Sequence, residues 1–254
     1  MKETETYGRN RTGVAAIAII LSLLAADVAA DEALDIIRRV DENGKSSSSR
    51  IEYAMDIHPS DGSAARSFSL VSQENKAGDS LIEFTAPRTV RGLRILSKEN
   101  SSWAYFLSTG RTRKIAGSSR SGSVQGVGGD FSYDDLGGDP WEDRYDFTLV
   151  SSDADSWTLR GRKKAEDAAY DEVSITVDRK LFLPTRVEFF KEKEGGLFKR
   201  LELSGFSDYS GRARAGKMTM SNVKKGSSTE VRLLSAAFDI PLDAALFDPV
   251  RFSR

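Results

Sequence analysis

The feature that most constrains this fold is an alternation of apolar and polar residues that begins near Arg50. In residues 51–58 (IEYAMDIH), apolar side chains alternate with polar or small ones, which predicts a strand with one buried and one solvated face. Similar segments recur along the rest of the chain without intervening helical patterns. We predict further strands near residues 66–73, 79–86, 91–97, 102–108, 144–151, 156–164, 172–178, 185–192, 197–205, 217–223 and 229–237. Strands at this spacing predict a mainly β fold, either a sandwich, a barrel or a strongly curved sheet.

Turns and one short helix complete the predicted secondary structure. The pairs Asp61-Gly62 and Gly195-Gly196 lie between alternating runs, where hairpin connections favour such residues. In residues 31–40, Leu34, Ile37 and Val40 share one helical face. This spacing predicts an amphipathic helix that ends in the polar linker 42–49.

The N-terminus has the anatomy of a signal peptide. Three basic residues precede an apolar run over 14–26, and Val28-Ala29-Ala30 follows. A run of this length is shorter than the ~20 residues that span a hydrocarbon core, and Val28 and Ala30 fit the small-residue cleavage pattern. We predict a signal peptide at residues 1–30, cleaved after Ala30, and a single domain over residues 31–254. The alternatives are an uncleaved anchor or a buried N-terminal helix.

Composition narrows the classes of function. Lys and Arg number 37 against 38 Asp and Glu, so the net charge of −1 does not favour nucleic acid as a partner. The chain has no cysteine, which excludes disulfides, thiolate metal sites, cysteine nucleophiles and a lipidated N-terminal cysteine. His58 is the only histidine and lies on the polar face of the first predicted strand. We therefore predict no catalytic site, metal or cofactor.

The region 117–138 breaks the strand pattern, because it is rich in serine and glycine and ends in acidic residues. Loops of this length in a compact domain are often functional. Its carboxylates and those just beyond it lack the order of a calcium loop; they favour a solvated acidic turn that caps a short helix near Tyr133 to Leu136, although a calcium site stays an alternative. The basic residues around the start of this region, Arg111, Arg113, Lys114 and Arg120, form either a solvated face or a docking site for a partner.

Several motifs together resemble one family. They are SLIEFTAP at 80–87, VRG at 90–92, TRKI at 112–115, GDFSYDDL at 129–136, VDRKLFLP at 177–184 and KMTMSNVKKG at 217–226. This set resembles the outer-membrane lipoprotein-sorting family, and more closely its LolA-like, uncharacterised branch. The resemblance covers roughly residues 31–250. It implies an unclosed antiparallel β-barrel with short covering helices around an apolar cavity. Such a protein carries an acyl chain or another lipid through the periplasm, beside an inner-membrane lipid-exporting transporter.

The resemblance also gives meaning to aromatic residues that composition alone would assign to an ordinary core. We predict that the lipid-binding wall consists of Tyr53, Met55, Phe68, Phe84, Trp103, Tyr105, Phe147 and Phe189. We predict that a partner-docking or lid segment includes Arg113, Lys114, Asp130, Phe131, Tyr133 and Asp134. The alternatives are an envelope adaptor or stress sensor that docks a membrane protein and carries no cargo, and a hydrolase that acts through the acidic residues.

Overall fold

The computed structural model describes residues 31–99, 101–116, 119–136 and 140–253. Within these ranges, helix α1 occupies residues 31–44 and the single turn α2 is Trp141–Arg144. The strands are β1 (Ser48–His58), β2 (Arg66–Asn75), β3 (Ser80–Ala86), β4 (Arg94–Lys98), β5 (Ser101–Phe106), β6 (Arg111–Ile115), β7 (Ser123–Val124), β8 (Gly128–Ser132), β9 (Tyr145–Ser152), β10 (Ser156–Lys163), β11 (Glu172–Asp178), β12 (Pro184–Lys191), β13 (Gly196–Tyr209), β14 (Arg212–Asn222) and β15 (Ser227–Phe238). Short 3-10 helices lie at Asp134–Leu136, Glu192–Glu194 and Ala244–Phe247.

Thirteen strands form one antiparallel sheet, in the order β6-β5-β4-β3-β2-β1-β15-β14-β13-β12-β11-β10-β9. Neighbours in this sheet are also neighbours in sequence, except at the centre, where β1 pairs with β15 and Met55 lies opposite Val231. In the described residues, the end strands β6 and β9 do not pair with each other. The sheet is therefore open, which confirms the predicted unclosed antiparallel β-barrel.

Helix α1 covers one half of the face that we call the inner face of the sheet. Its side chains Ile36, Ile37 and Val40 are buried in a cluster with Leu159 of β10 and Ile175 of β11. Burying each such side chain stabilises the fold by about 1.5–3 kcal/mol. The predicted helix is thus confirmed, and it runs four residues beyond the predicted end at residue 40, to residue 44.

Residues 119–136, which we call the inner segment, cover the other half of the inner face. The segment contains the separate two-stranded sheet β7-β8 and the 3-10 helix Asp134–Leu136, which confirms the short helix predicted there. The prediction that the acidic turn is solvated is wrong, because Asp130 and Asp134 are buried against the sheet and α2. Val124, Val127 and Tyr133 are buried against side chains of β1 and β2 that include Met55 and Phe68. The apolar side chains of the inner segment are therefore packed against the sheet.

The C-terminal residues cover part of the opposite, outer face. Phe247 and Phe252 are buried against Leu81 of β3 and Leu96 of β4. Farther along the sheet, the outer face is solvated, and Leu234 of β15 is 60% exposed. Both faces of the β3–β5 region are thus covered, whereas the central strands bury only their inner face.

Candidate ligand-binding cavity

A cavity of about 400 Å³ lies between the central strands of the inner face and the elements that cover that face. One side is formed by strands β12 to β15 with Tyr53 of β1, and the other by the C-terminal half of α1, the helix α2 and Phe131 of the inner segment. This volume falls within the range of about 300–1,000 Å³ that is typical of small-molecule sites. The strands and helices of the fold therefore leave room for a ligand.

The sheet side of the cavity is apolar because alternate residues of adjacent strands face inward. Leu203 of β13 lies opposite Met218 of β14, and the next inward pair is Leu201 with Met220. Leu233 of β15 extends this surface towards β1. Methionine side chains are flexible and adapt to irregular shapes, so this wall can accommodate an alkyl chain in more than one conformation.

The covering side is rich in aromatic rings. Trp141 and Tyr145 lie with their ring centroids 6.0 Å apart, and Tyr170 packs against Phe189 of β12 at 4.6 Å. Burial raises the pKa of the Tyr145 hydroxyl, and it raises the pKa of the Tyr53 hydroxyl to about 12. Both phenols are therefore neutral at physiological pH and add no charge to the wall.

The inner end of the cavity is an ionic cluster. The Asp134 carboxylate forms salt bridges with the guanidinium groups of Arg144 and Arg120, at N–O distances of 2.6 Å and 2.9 Å. The three side chains are only 2–13% exposed. A buried carboxylate between two guanidiniums is compensated, and removing one partner leaves an unpaired buried charge. Asp134 therefore joins the inner segment to α2.

Asp135 makes a second set of contacts at the same end. Its carboxylate accepts hydrogen bonds from Lys199 of β13 at 2.9 Å, from the Tyr170 hydroxyl at 2.7 Å and from the Ser132 backbone N–H at 2.7 Å. Burial, followed by the nearby Asp135 carboxylate, raises the pKa of Tyr170. The bonds to Lys199 and Tyr170 join the inner segment to the sheet and to the loop between β10 and β11.

Asp130 fixes the inner segment to β15. Its carboxylate accepts hydrogen bonds from the hydroxyls of Ser227 at 2.6 Å and Thr229 at 2.9 Å. The preceding Gly129 has a φ of 81°, and a Cβ there would lie 2.9 Å from both Ile57 Cδ1 and Thr229 Oγ1. The backbone approaches the sheet so closely that only glycine fits without displacing a neighbour.

The outer end of the cavity, which we call the rim, is mixed in charge. Arg214 of β14, Lys45, Glu74 and Asp41 line it. Burial raises the pKa of Glu74, and it raises the pKa of Asp41 to about 6 although the Asp41 carboxylate accepts a hydrogen bond from Trp141 N–H. Burial lowers the pKa of Arg214. The rim therefore combines carboxyl groups that bind protons readily with two cations.

The eight residues predicted to form the lipid-binding wall fall into three places. Tyr53 and Phe189 line the cavity. Met55, Phe68 and Phe84 are buried beneath the inner segment, and Phe147 is buried in the cluster under α1.

Trp103 and Tyr105 lie outside the cavity, on the outer face of β5, where they pack against the cluster of C-terminal residues. Their neighbour Ala104 faces inward and is fully buried. Both phases of this strand are apolar, because both faces of the sheet are covered here. The two rings consequently face away from the cavity.

The six residues predicted for a partner or lid segment also separate. Arg113 and Lys114 are exposed on the end strand β6, with the Lys114 ammonium 5.3 Å from the Trp103 ring. Asp130, Tyr133 and Asp134 are buried. Phe131 and Asp134 are the two members of this set that line the cavity, so the inner segment contributes part of its wall and several fixed contacts to the sheet.

The cavity also contains residues that the sequence prediction missed, above all Arg214, Met218, Met220 and Leu233. The alternation in KMTMSN at residues 217–222 indicates an inward-facing methionine pair. No sequence signal marks Arg214 as a cavity residue, because its position depends on where α1 ends against the β13–β14 hairpin.

Two other classes of site are absent from the described ranges. No group of three or more His, Asp or Glu side chains there is placed to hold a metal ion. No helix in that part of the chain is long and apolar enough to cross a membrane. The predicted signal peptide, residues 1–30, lies outside the described residues.

Comparisons with known proteins agree with this architecture. A family model that is described only as an uncharacterized protein matches residues 76–254, and no curated protein matches the sequence. A domain from Vibrio parahaemolyticus, described as an outer membrane lipoprotein-sorting protein domain, is 24% identical, with a TM-score of 0.79 over 89% of this chain and 100% of that domain.

Two further solved structures are similar. A DUF1329 family protein from Desulfovibrio piger is 24% identical, with a TM-score of 0.73 over 84% of this chain and 95% of the other. A LolA superfamily protein from Nitrosomonas europaea is 20% identical, with a TM-score of 0.70 over 85% of this chain and 97% of the other. At these identities the likeness establishes a shared fold.

Proposed function

This chain belongs to the family of uncharacterized proteins whose model matches residues 76–254 and shares its fold with a lipoprotein-sorting domain and a LolA superfamily protein, and from that premise we propose that it is a periplasmic carrier of acyl chains. In this proposal, an acyl chain of a lipid or lipoprotein lies in the inner-face cavity during transfer towards the outer membrane. The observation that carries the proposal is the cavity itself, about 400 Å³ in volume, with an apolar wall of Leu201, Leu203, Met218 and Met220.

The physical basis is the transfer of hydrocarbon out of water. Each CH₂ group that leaves water gains about 0.8 kcal/mol, so enclosing part of an acyl chain gives useful affinity without specific hydrogen bonds. Carriage requires no bond to break, and the carboxylates Asp130, Asp134 and Asp135 are engaged in hydrogen bonds that fix the inner segment. The proposal therefore assigns no catalytic residue and no cofactor.

The route through the cell follows from the same proposal. Cleavage after Ala30 would release the domain into the periplasm, where an inner-membrane lipid-exporting transporter is the proposed donor of cargo. These two steps rest on the sequence pattern and the family resemblance, and they can be tested apart from ligand binding.

Native mass spectrometry of the protein purified from the periplasm, followed by lipid extraction, tests the carrier proposal. We expect a bound species of lipid mass at about one per chain, released by organic solvent. Protein that is free of lipid, and that also fails to bind an added long-chain fatty acid, would contradict the proposal.

A second candidate is the adaptor that docks a membrane protein and carries no cargo. The observation in its favour is the end strand β6, whose residues Arg111–Lys114 are all exposed and whose outer edge has no neighbouring strand among the described residues. Such an edge can pair with a strand of another chain. A stable stoichiometric protein complex without bound lipid would favour this candidate.

A further inference from the structure

The rim of the cavity contains a cation in an unusual setting. The Arg214 guanidinium donates hydrogen bonds to the backbone carbonyls of Asn43 at 3.1 Å, Gly44 at 3.1 Å and Ala213 at 2.8 Å. No carboxylate of the described residues lies within ion-pair distance of it. By contrast, Arg144 at the inner end of the same cavity is paired with Asp134 at 2.6 Å. The two ends of the cavity therefore differ in charge balance.

Arg214 retains both charge and hydrogen-bonding capacity for a ligand. A guanidinium has five N–H donors and stays protonated in proteins, and the contacts above go only to neutral carbonyls. The Glu74 carboxyl on the cavity wall interacts with Arg214 through charge alone, without an ion pair, and burial raises the pKa of Glu74. A second cation, Lys45, lines the same rim.

The position of Arg214 relative to the apolar wall matches the shape of an amphiphile. Arg214, Met218 and Met220 lie on the same strand, β14. At about 3.3 Å per residue, Met220 is roughly 20 Å along the strand from Arg214. A polar head at the rim would thus leave the attached chain in contact with the inward-facing pairs Leu203–Met218 and Leu201–Met220.

We propose that the ligand of this cavity is an amphiphile with an anionic head group, a carboxylate or a phosphate ester, which binds Arg214 while its alkyl chain lies along the Leu203–Met218 wall. This inference rests on the proposed carrier function and adds the class and orientation of the ligand. A guanidinium matches the geometry of both anions with paired hydrogen bonds, so the two head groups share one recognition chemistry.

Displacement of a bound apolar fluorescent dye tests the proposal, with palmitate, hexadecyl phosphate, hexadecanol and inorganic phosphate as competitors. The first three have the same chain and differ in the head group. We expect both anionic amphiphiles to bind at least about tenfold more tightly than hexadecanol, since hydrogen bonds to charged groups are among the stronger ones. Inorganic phosphate alone is expected to displace nothing.

The variant Arg214→Gln should bring the affinity for palmitate to within about twofold of the affinity for hexadecanol, both measured on the same variant. The matched control is Arg186→Gln, which removes an exposed arginine on β12 that pairs with Glu202 outside the cavity; the preference for palmitate should persist. Equal affinity of palmitate and hexadecanol in the unaltered protein would overturn the head-group assignment and leave the carrier proposal intact. If no amphiphile displaces the dye, the carrier proposal itself fails.

Two further outcomes are decisive. Displacement by inorganic phosphate at the same concentration as hexadecyl phosphate would indicate a site for a free anion and would overturn the amphiphile. If Arg214→Gln does not fold, the orientation of palmitate bound to the unaltered protein is measured instead, from nuclear Overhauser contacts between the ligand and the protein. Contact between the methylene beside the carboxylate and Arg214 supports the proposal, whereas contact between the terminal methyl and Arg214 overturns it.

Discussion

At the residue scale, Leu233 and Leu234 are adjacent in β15 and lie in opposite surroundings. Leu233 lines the cavity, whereas Leu234 is 60% exposed on the outer face. We expect Leu233→Asp to weaken the binding of a long-chain fatty acid by about tenfold or more, because it places a charge on the apolar wall. Leu234→Asp should bind normally. Titration of both variants with a fluorescent fatty acid measures the difference, and equal losses in the two would contradict the assignment of the cavity.

Burial of Asp41 at the rim makes the stability of the folded protein depend on pH. Its pKa in the folded protein is raised from 3.8 to about 6 by burial, so the folded state favours the neutral acid. Its contribution to stability is full below about pH 4 and is lost as the pH rises through about 6. We expect Asp41→Asn, which can still accept from Trp141 N–H, to be more stable than the unaltered protein at pH 7 by about 1 kcal/mol, a figure reduced because solvent screens this partly exposed group.

Urea unfolding of both proteins between pH 4 and pH 8 measures this effect. The difference in the free energy of unfolding should be near zero at the acidic end and should grow through about pH 6. A difference that does not vary with pH would show that Asp41 is not the group responsible.

The aromatic residues show what the sequence could and could not predict at this scale. Alternation along β1 correctly places Tyr53 on the inner face, where it lines the cavity. In β5 the same reasoning is ambiguous, since Trp103 and Tyr105 occupy one phase and Ala104 and Phe106 the other, and both phases are apolar. Trp103 and Tyr105 lie on the outer face because C-terminal residues cover that face. The local sequence of β5 gives no sign of this covering.

At the scale of elements, the inner segment is held on the sheet by buried polar contacts and by one close backbone approach. Gly129 and Gly126 both have positive φ, at 81° and 88°, but a Cβ at Gly126 would meet nothing within 4 Å. We expect Gly129→Ala to lose about 1–3 kcal/mol more stability than Gly126→Ala, because it adds a clash with Ile57 and Thr229 to the same backbone strain. Thermal or urea unfolding of the two variants measures this difference, and equal stability would argue against close packing of the segment.

Most strands of the large sheet lie within a few residues of their predicted bounds, because period two is a strong signal where one face is buried. The exception is β6, Arg111–Ile115, whose sequence RTRKI has no apolar phase. An end strand has one neighbour and much solvent, so charged residues are common there. Residues 111–115 form a strand because they pair with β5, and the sequence of β6 alone does not predict this pairing.

At the scale of the whole molecule, the open sheet separates three surfaces. The inner face holds the cavity, the β3–β5 part of the outer face is covered by C-terminal residues, and the end strand β6 is exposed. A ligand in the cavity and a protein at the β6 edge would therefore occupy different parts of the molecule. The two candidate functions can be separated by variants that affect one surface only.

The predicted signal peptide is also tested on the whole chain. Expressed in full in a bacterium with a periplasm, the protein should be recovered from the periplasmic fraction with Asp31 as its first residue, since the short apolar run and the Val28-Ala29-Ala30 site favour cleavage. N-terminal sequencing decides the matter. Full-length protein in the membrane fraction, with Met1 retained, would indicate an uncleaved anchor.

The pairing of β1 with β15 has a kinetic consequence. The hydrogen-bonded side chains of Asp56 and Arg232 lie 176 positions apart in the chain, whereas the other neighbouring strands of the sheet follow one another in sequence. Contacts of such long range form slowly, because much chain entropy is lost before they stabilise anything. The two runs of sequential strands, β1–β6 and β9–β15, can each form from neighbouring segments of the chain. The β1–β15 pair at the centre forms only after both of these strands are present. The cavity, whose floor is built on that centre, is therefore among the last parts of the molecule to acquire its shape.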